Sequence, residues 1–561
     1  MHYYLVINGY MEVPMFAFSP FYNICSVLLD VSVVFLCLYF ICIKRVKLTL
    51  ASTFLVTLFW SFSNTFYARF FFQYLSLSAI DQVGNLADGL VFDSMISGFQ
   101  WTDMYYLLSL FSFLWLIRNV DLKPRGNTMF LTMAIIPFLV IFVDFIVYSV
   151  YHVVNTSTRG NKELYVNRIE GLVFGGGGGR SAIPNLFRYQ VGCVRCLCSE
   201  EYDNLFPRIL SDQERSEIEK IYLDYSHRVS NVSDNNQIQN VVFIVLESFL
   251  SVSSDLKVDG KEITPFLNSL KHSSNIYYNG HVQPNITVGE SGDGQFIYMT
   301  GLLPCRSKLV LAEVKNKKLP ALPKVLKEKN KIVYSEIIIP TTPKVWNQEQ
   351  MNIVYGIDKM YSYFDLYGSE NNSIFLSLND EQIFDMAIKS NKIKNRPFFS
   401  VILSTSTHMP YTDFVENGFE LNDLSLPREY RVYLNACHYV DRQIHRYFQH
   451  LKQCNVYDKT LIFIMADHHA HIGSLGMEGK ITEDLPLYII NSGMDVSKAY
   501  KGLCNQLDIY TTVLDILCVD SEWKGLGNTL MTKGYINSVS EKTYELSEKI
   551  VEGDYFRDKS K

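Results

Sequence analysis

Four polar residues in the second half of the sequence follow apolar segments that are typical of buried strands. These are Glu247, His408, Asp467 and His468. Carboxylates combined with an imidazole are ligands suited to a divalent cation such as Mn²⁺, Zn²⁺ or Mg²⁺. An Asp-His pair at the end of a buried strand needs a partner for its charge, which a metal would supply. For Glu247 the simpler alternative is an acid that begins a helix after the strand.

A hydroxyl group lies in a glycine-rich segment, G-E-S-G-D-G-Q-F at residues 289–296. Residues 297–303, which follow it, have the composition of a helix. Ser291 would then lie near a helix N-terminus, where backbone N–H groups and the helix dipole favour anions. A serine there is suited to attack phosphorus, and binding to a divalent metal would make its alkoxide accessible at neutral pH. Alternatively, Ser291 is only a helix cap.

The elements that position these residues are predicted from five apolar runs separated by helical stretches. Continuous apolar strands alternating with helices indicate a mostly parallel sheet covered on both faces. Such sheets collect their chemistry at the carboxyl ends of the strands, so Glu247, His408, Asp467 and His468 should share one edge. The predicted strands are 241–246, 332–339, 398–403, 461–465 and 487–490.

The first part of the chain has a different composition. For the whole chain, mean hydropathy is +0.05 and only 19% of residues are charged. The high average arises because apolar residues are concentrated in the first part of the chain. Four apolar runs are each long enough to cross a hydrocarbon core of about 30 Å. Asp30, Asp103 and Asp144 lie in them, either as functional acids or near an interface. The predicted spans are 21–43, 48–68, 96–117 and 129–151.

The basic residues of the short loops predict the orientation of these spans. Lys44, Arg45 and Lys47 lie between the first two spans, and three more basic residues lie between the last two. Those loops should be cytoplasmic, which places everything after about residue 153 outside the cytoplasm. The net charge of −6 gives no electrostatic case for binding nucleic acid.

Four regions follow from this organisation. Residues 1–153 form a transmembrane domain of about four helices, and residues 154–235 form a linker that contains one helix. The linker includes five consecutive glycines at 175–179, which neither helices nor strands favour. Residues 236–535 form the extracytoplasmic α/β domain, and residues 536–561 form a charged tail.

Taken together, these features resemble the lipoteichoic acid synthase-like branch of the sulfatase/alkaline phosphatase superfamily. That branch comprises membrane-anchored phosphoglycerol transferases, with phosphoethanolamine transferases as relatives. The resemblance implies an N-terminal transmembrane bundle followed by an alkaline phosphatase/sulfatase-like domain. The motifs that carry it are N-V-V-F-I-V-L-E-S-F at 240–249, G-E-S-G-D-G-Q-F, S-T-H-M-P-Y at 406–411 and A-D-H-H at 466–469.

The resemblance assigns a role to each catalytic position. Glu247 matches the first metal-binding glutamate, and Asp467 and His468 match the paired metal ligands. Ser291 matches the nucleophile, which is usually threonine, and would also bind the metal through its oxygen. The implied cofactor is one divalent metal, with Mn²⁺ favoured over Zn²⁺ or Mg²⁺.

Three further residues match positions that contact substrate in the family. His408 corresponds to the histidine that contacts substrate and assists proton transfer, and Trp346 and Asn347 resemble a substrate-binding W-N segment. Two positions depart from the family. Gln348 replaces an arginine, which weakens the case for a glycerol phosphate head group. His469 replaces a glycine and would either add a ligand or proton donor or lie at the surface.

The implied reaction is metal-dependent transfer of a phospholipid head group, with phosphoglycerol favoured, through a covalent seryl intermediate. The donor would be a phospholipid and the acceptor an envelope glycan or lipopolysaccharide, at the outer face of the cytoplasmic membrane. Alternatives are a phosphoethanolamine transferase, a phosphodiesterase or sulfatase-type hydrolase, and a non-catalytic membrane sensor. Formylglycine-dependent sulfate hydrolysis is disfavoured, because Gly-Asp-Gly-Gln follows Ser291 instead of the sequence that directs that modification.

Overall fold

The chain forms two compact units. Residues 1–80 and 96–207 belong to the first unit, and residues 81–95 and 208–561 belong to the second. The first unit is helical where it is described, and the second is an α/β domain. The computed structural model describes residues 20–42, 45–71, 75, 99–119, 135, 139, 210–226, 238–287, 289–306, 309–368, 377–391, 396–411, 419 and 421–557.

Three helices define the described part of the first unit: α1 (Pro20–Ile41), α2 (Val46–Phe71) and α3 (Met104–Asn119). They coincide with the first three predicted spans. Among the described residues, one stretch, Val46–Arg69 in α2, is long and apolar enough to cross a membrane, judged by length and composition. The fourth predicted span, with Asp144, and the glycine run lie outside the described residues, apart from positions 135 and 139. A bundle of four spans therefore stays a prediction.

Helices α2 and α3 contact each other through aromatic rings and one ion pair. The rings of Phe54 and Phe113 stack with their centroids 3.8 Å apart. The guanidinium of Arg69 holds both carboxylate oxygens of Asp103, with N–O distances of 2.7 and 2.8 Å. Large apolar side chains remain exposed on these helices, including Trp115 at 66%. Such a surface suits an apolar surrounding better than water.

The second unit is built on an eight-stranded sheet with the strand order β10-β4-β9-β8-β1-β7-β5-β6. All neighbouring strands run parallel except β9, which is antiparallel to both β8 and β4. A separate hairpin joins β2 and β3. The strands are β1 (Asn240–Leu246), β2 (Lys257–Val258), β3 (Lys261–Glu262), β4 (Tyr277–Gln283), β5 (Tyr334–Ile338), β6 (Lys359–Tyr361), β7 (Phe398–Leu403), β8 (Thr460–Ala466), β9 (Leu485–Ile490) and β10 (Cys504–Asn505).

The prediction of a mostly parallel sheet is confirmed. Every residue of β1, β7, β8 and β9 is buried, which explains why these strands are continuous apolar runs. Strand β4 was not predicted, since polar residues such as Asn279 and His281 interrupt its apolar pattern. The reversed direction of β9 was not predicted either, because apolar composition carries no information about strand direction.

Helices cover the sheet and extend beyond the region predicted as the catalytic domain. They are α4 (Asp212–Ser226), α5 (Pro265–Lys271), α6 (Ser291–Thr300), α7 (Val310–Val314), α8 (Leu322–Glu328), α9 (Gln348–Tyr355), α10 (Tyr363–Tyr367), α11 (Asp380–Asn391), α12 (Arg428–Gln453), α13 (Asp508–Ile516) and α14 (Glu541–Glu552).

The first and last of these helices pack against the same unit. The Tyr222 ring of α4 stacks on Trp523 with centroids 4.7 Å apart. Ser547 of α14 accepts a hydrogen bond from the backbone N–H of Leu303, just after α6, at 2.9 Å. Segments predicted as linker and tail thus contribute helices to the compact unit.

Candidate active site

The backbone before α6 presents Ser291 at the first position of that helix. Glu290 precedes it with φ 44° and ψ −119°, a strained conformation for a residue other than glycine. The turn is held by buried Asp293, whose Oδ2 accepts hydrogen bonds from the N–H groups of Thr287 and Gly289 at 2.8 and 2.9 Å. The G-E-S-G-D segment therefore closes on its own aspartate and fixes the serine at the helix N-terminus.

A close approach of α6 to the end of β8 places the serine beside the Asp-His pair. A Cβ atom at Gly294 would lie 2.4 Å from the backbone oxygen of Asp467, so this position requires glycine. The same oxygen accepts a hydrogen bond from Gln506 Nε2 at 2.6 Å. The Tyr298 hydroxyl donates to the oxygen of Ala466. Glycine spacing and two side-chain bonds thus join the helix to the strand end.

Ser291, Glu247, Asp467 and His468 converge at this edge of the sheet. Ser291 Oγ lies 3.1 Å from Glu247 Oε2 and 3.2 Å from His468 Nε2. His468 Nε2 lies 3.2 Å from Glu247 Oε1 and 3.8 Å from Asp467 Oδ2. One ligand atom from each of Glu247, Asp467 and His468 lies within 4.8 Å of the others, and all three residues are buried. Such a group has the ligand types and spacing of a divalent metal site.

Backbone and hydroxyl donors hold the two carboxylates in place. Asp467 Oδ1 accepts hydrogen bonds from the N–H groups of Ser248 and His468 at 2.9 and 2.8 Å. Glu247 Oε1 accepts one from Ser248 Oγ at 2.8 Å. The backbone N–H of Glu247 donates to Ser404 Oγ at 2.8 Å, which links the ends of β1 and β7. The acids are therefore oriented before any ligand binds.

The charges in this cluster do not balance. Burial lowers the pKa of His468, but the charges of Asp467 and Glu247 outweigh it and raise that pKa well above its ordinary value. Burial and the charge of Glu247 together raise the pKa of Asp467 to about 8. One imidazole thus faces more carboxylate than it can neutralise, so a divalent cation fits the donor set and its charge.

The loop after β7 brings His408 to the same edge. The N–H of Ser406 donates to buried Asp380 at 2.8 Å, and the Thr407 hydroxyl donates to the backbone oxygen of Glu247. His408 is half-buried. Burial raises the pKa of Glu247, but the interactions with His468 and, to a smaller extent, with His408 outweigh it and lower that pKa. The predicted proton donor is therefore close enough to the acidic cluster to interact with it electrostatically.

The Trp346-Asn347 segment is connected to the nucleophile helix by an amide pair. Both residues have positive φ values, 50° and 53°, and both are half-buried. Gln348, which follows them, donates from Nε2 to Gln295 Oε1 of α6 at 3.0 Å. The segment is thus tied to the helix that begins with Ser291, while its contact with substrate stays a prediction.

Two functional features of the site were not identified from the sequence. Glu290 Oε2 lies 3.3 Å from His468 Nδ1, so a third carboxylate reaches the imidazole. Gln506 supports Asp467 from a distant part of the chain. Glu290 could have been noticed as an acid directly before the nucleophile, whereas nothing in the sequence around Gln506 indicates its role.

This fold and this edge cluster define an alkaline phosphatase/sulfatase-like domain with a buried acid, histidine and hydroxyl group. Residues 239–519 match the sulfatase family, and the chain belongs to that family. The match begins just before β1 and continues past α13, so it includes the strands and helices that carry the site.

Relatives include proteins named lipoteichoic acid synthases. The chain is 28% identical over 306 residues to lipoteichoic acid synthase 2 of Bacillus subtilis, covering 51% of this chain and 46% of that protein. It is 23% identical over 507 residues to lipoteichoic acid synthase of Staphylococcus saprophyticus, covering 85% and 74%. The chain thus spans about half the length of the first relative. These matches confirm the predicted resemblance to the lipoteichoic acid synthase-like branch.

A solved structure shows a limited likeness. The lipoteichoic acid synthase LtaP from Listeria monocytogenes is 19% identical with a TM-score of 0.45, covering 58% of this chain and 81% of that one. With the TM-score below 0.5, the fold assignment rests on the family match and the strand order.

Proposed function

We propose that this protein is a metal-dependent transferase that moves a phospholipid head group, with phosphoglycerol favoured, to an envelope glycan through a covalent seryl intermediate. The observation that carries the proposal is the position of Ser291 Oγ. It lies at the N-terminus of α6, 3.1 Å from Glu247 Oε2 and 3.2 Å from His468 Nε2. A hydroxyl group so placed can lose its proton to the cluster and attack a phosphorus atom bound at the helix terminus.

The fit of Glu247, Asp467, His468 and Ser291 to a divalent cation supports metal dependence. When bound, the metal would lower the pKa of the serine hydroxyl and neutralise charge on the phosphoryl oxygens. Mn²⁺ is our preferred ion, and the mixed carboxylate and imidazole ligands also suit Zn²⁺ or Mg²⁺.

In the first half-reaction, Ser291 Oγ gives up its proton and forms a bond to phosphorus. The bond from phosphorus to the diacylglycerol oxygen breaks, and His408 supplies the proton that this oxygen takes up. In the second half-reaction, a glycan hydroxyl attacks phosphorus and loses its proton to His408. The bond to Ser291 breaks and the serine regains a proton. Trp346 and Asn347 would hold the head group during both steps.

The relatives are named lipoteichoic acid synthases. The resemblance to that branch supports phosphoglycerol as the head group, with a phospholipid as donor and a glycolipid or glycan as acceptor. The apolar first unit supports a membrane location, because the donor is itself a component of the membrane. We place the α/β domain outside the cytoplasm and the first unit in the cytoplasmic membrane, as the loop charges predict.

The test is to incubate the full chain in proteoliposomes with mixed phospholipids and Mn²⁺, and to measure diacylglycerol release and the mass of Ser291. We expect release and an adduct with the mass of phosphoglycerol. An ethanolamine phosphate adduct would instead identify the phosphoethanolamine alternative.

Two substitutions at the same position provide the control. Ser291→Ala should abolish both release and adduct, whereas Ser291→Thr keeps the hydroxyl group and should retain measurable turnover. Unchanged diacylglycerol release by the alanine variant would rule out Ser291 as the nucleophile. Release without transfer to any added glycan would favour a hydrolase.

A further inference from the structure

We propose that Glu290 is a positioning residue that acts on the metal centre through His468, by the charge of its carboxylate. This inference rests on the proposed function, since it concerns the same site. Its starting point is that the side chain of His468 lies between acids on both sides. Glu247 Oε1 lies 3.2 Å from Nε2, on the side of Ser291, and Glu290 Oε2 lies 3.3 Å from Nδ1, on the opposite side.

Two different groups near His468 Nδ1 account for the orientation of the ring and for the negative charge beside it. Nδ1 lies 2.8 Å from the backbone oxygen of His469, which is the hydrogen-bond acceptor that fixes the direction of the ring. Glu290 Oε2 is farther away and buried, and it makes no hydrogen bond to any residue that the structure describes. Because the ring is already oriented by the backbone, the contribution of Glu290 is its negative charge beside the imidazole.

A purely local role for Glu290 does not account for its position. It occupies the N-cap position of α6, yet its side chain makes no capping hydrogen bond to that helix. Its backbone has φ 44°, which favours glycine, and its side chain is only 16% exposed. A glycine would relieve the backbone, and a serine or aspartate would cap the helix. The glutamate instead directs its carboxylate to His468.

Other titratable groups also face Glu290. Burial lowers the pKa of His471, and the charge of Glu290 opposes this effect without overcoming it. Asp293 adds negative charge on the side of α6. Among the described residues, His468 is the proposed metal ligand that the Glu290 carboxylate contacts, with Oε2 3.3 Å from Nδ1. A carboxylate on the far nitrogen of a metal-binding imidazole increases the donor strength of the ring.

The experiment measures Mn²⁺ binding to the full-length protein in detergent, by the loss of the free-ion signal in electron paramagnetic resonance. Glu290→Gln preserves the shape of the side chain and removes its charge, whereas Glu290→Asp preserves the charge and shortens the side chain. We expect Glu290→Gln to weaken Mn²⁺ binding about 10-fold or more. Glu290→Asp should stay within about threefold of the unchanged protein.

Glu349 is the matched control, because it is an exposed glutamate in the first turn of α9. Glu349→Gln should bind Mn²⁺ like the unchanged protein. Equal melting temperatures of all variants in EDTA would establish that the metal-free fold is intact. If Glu290→Gln binds Mn²⁺ as tightly as the unchanged protein, or if Glu290→Asp loses as much affinity as Glu290→Gln, the charge role is overturned.

The same measurement separates this inference from the proposed function. If the unchanged protein binds no Mn²⁺ or other divalent ion, the proposed metal site fails and the role of Glu290 fails with it. If the unchanged protein binds Mn²⁺ and the Glu290 variants bind it with the same affinity, the metal site is supported and the Glu290 inference alone is wrong.

Discussion

Two groups of buried charges, one in each unit, differ in how they are balanced. In the first unit, Arg69 and Asp103 form one ion pair at 2.7 Å, with side chains 3% and 9% exposed. In the second unit, Glu247, Asp467 and Glu290 surround the single imidazole of His468. The first group combines one cation with one anion, whereas in the second group the carboxylates outnumber the imidazole that they surround.

The difference indicates what each group does. In the first group one guanidinium faces one carboxylate through two hydrogen bonds, and this contact joins α2 to the turn that precedes α3. This favours a structural role for Asp103 over the functional alternative. A buried cluster with excess carboxylate is costly unless a cation binds, and that cost is typical of a functional site. The predictions below test this contrast.

Metal removal should have the largest effect, and it should act on the second unit. Chelation by EDTA should reduce transfer by about 10²-fold or more, because the charge on the phosphoryl group would lose its partner. It should also lower the melting temperature, since a cation at 100 times its Kd stabilises a protein by about 2.7 kcal/mol. Activity assays and differential scanning fluorimetry, with Mn²⁺ re-addition as control, measure both. Full activity after chelation would contradict the assignment of the acidic cluster in the second unit as a metal-binding functional site.

Breaking the balanced pair should affect stability without affecting chemistry. Asp103→Asn removes the carboxylate charge that the buried Arg69 guanidinium contacts at 2.7 and 2.8 Å, and it should cost about 3 kcal/mol or more. Thermal unfolding in detergent, followed by tryptophan fluorescence, measures the loss. The double variant Arg69→Met with Asp103→Asn should recover much of it, because both charges of the buried pair are then removed together. Diacylglycerol release per folded molecule should stay unchanged, and a specific loss of turnover would reassign Asp103 to function.

Asp380 is a buried carboxyl group that is held by backbone N–H groups, and its titration should have the smallest effect of the three. Asp380 accepts hydrogen bonds from the backbone N–H groups of Ser406 and Thr405, and burial raises its pKa to about 6. The folded state therefore binds a proton that the unfolded state releases at lower pH. The resulting stability is full below about pH 4 and is lost as pH rises through about 6.

We expect Asp380→Asn to remove this dependence, which amounts to about 2 to 3 kcal/mol between pH 4 and 7. Urea unfolding across that pH range measures it. Asp385 lies on the same helix, is half-buried and pairs with Arg446, so Asp385→Asn is the matched control and should leave the pH profile unchanged. Parallel profiles for Asp380→Asn and the unchanged protein would show that Asp380 is not titrating.

Much of the second unit was predictable because the apolar composition of its strands matches their burial in the sheet. The runs that form β1, β7 and β8 are apolar on both faces, and a parallel sheet buries both faces. Functional residues of such sheets collect at the carboxyl ends of the strands, and this rule alone predicted that Glu247, His408 and Asp467 lie together. Strand β4 mixes polar and apolar residues and lacks that agreement. The linker helix α4 was predicted as a helix, but its packing against the second unit, like that of α14, was not.

The sequence by itself determined the residue types of the site, the strands that end at it, and the apolar character of the first unit. Only the tertiary structure decided the partners: Arg69 for Asp103, Gln506 for Asp467, and Glu290 for His468. The physical reason is that composition and periodicity report which residues are buried, whereas charge balance depends on which buried groups meet. These contacts join residues that are far apart in the chain, and close packing such as that at Gly294 holds the contacting segments in place.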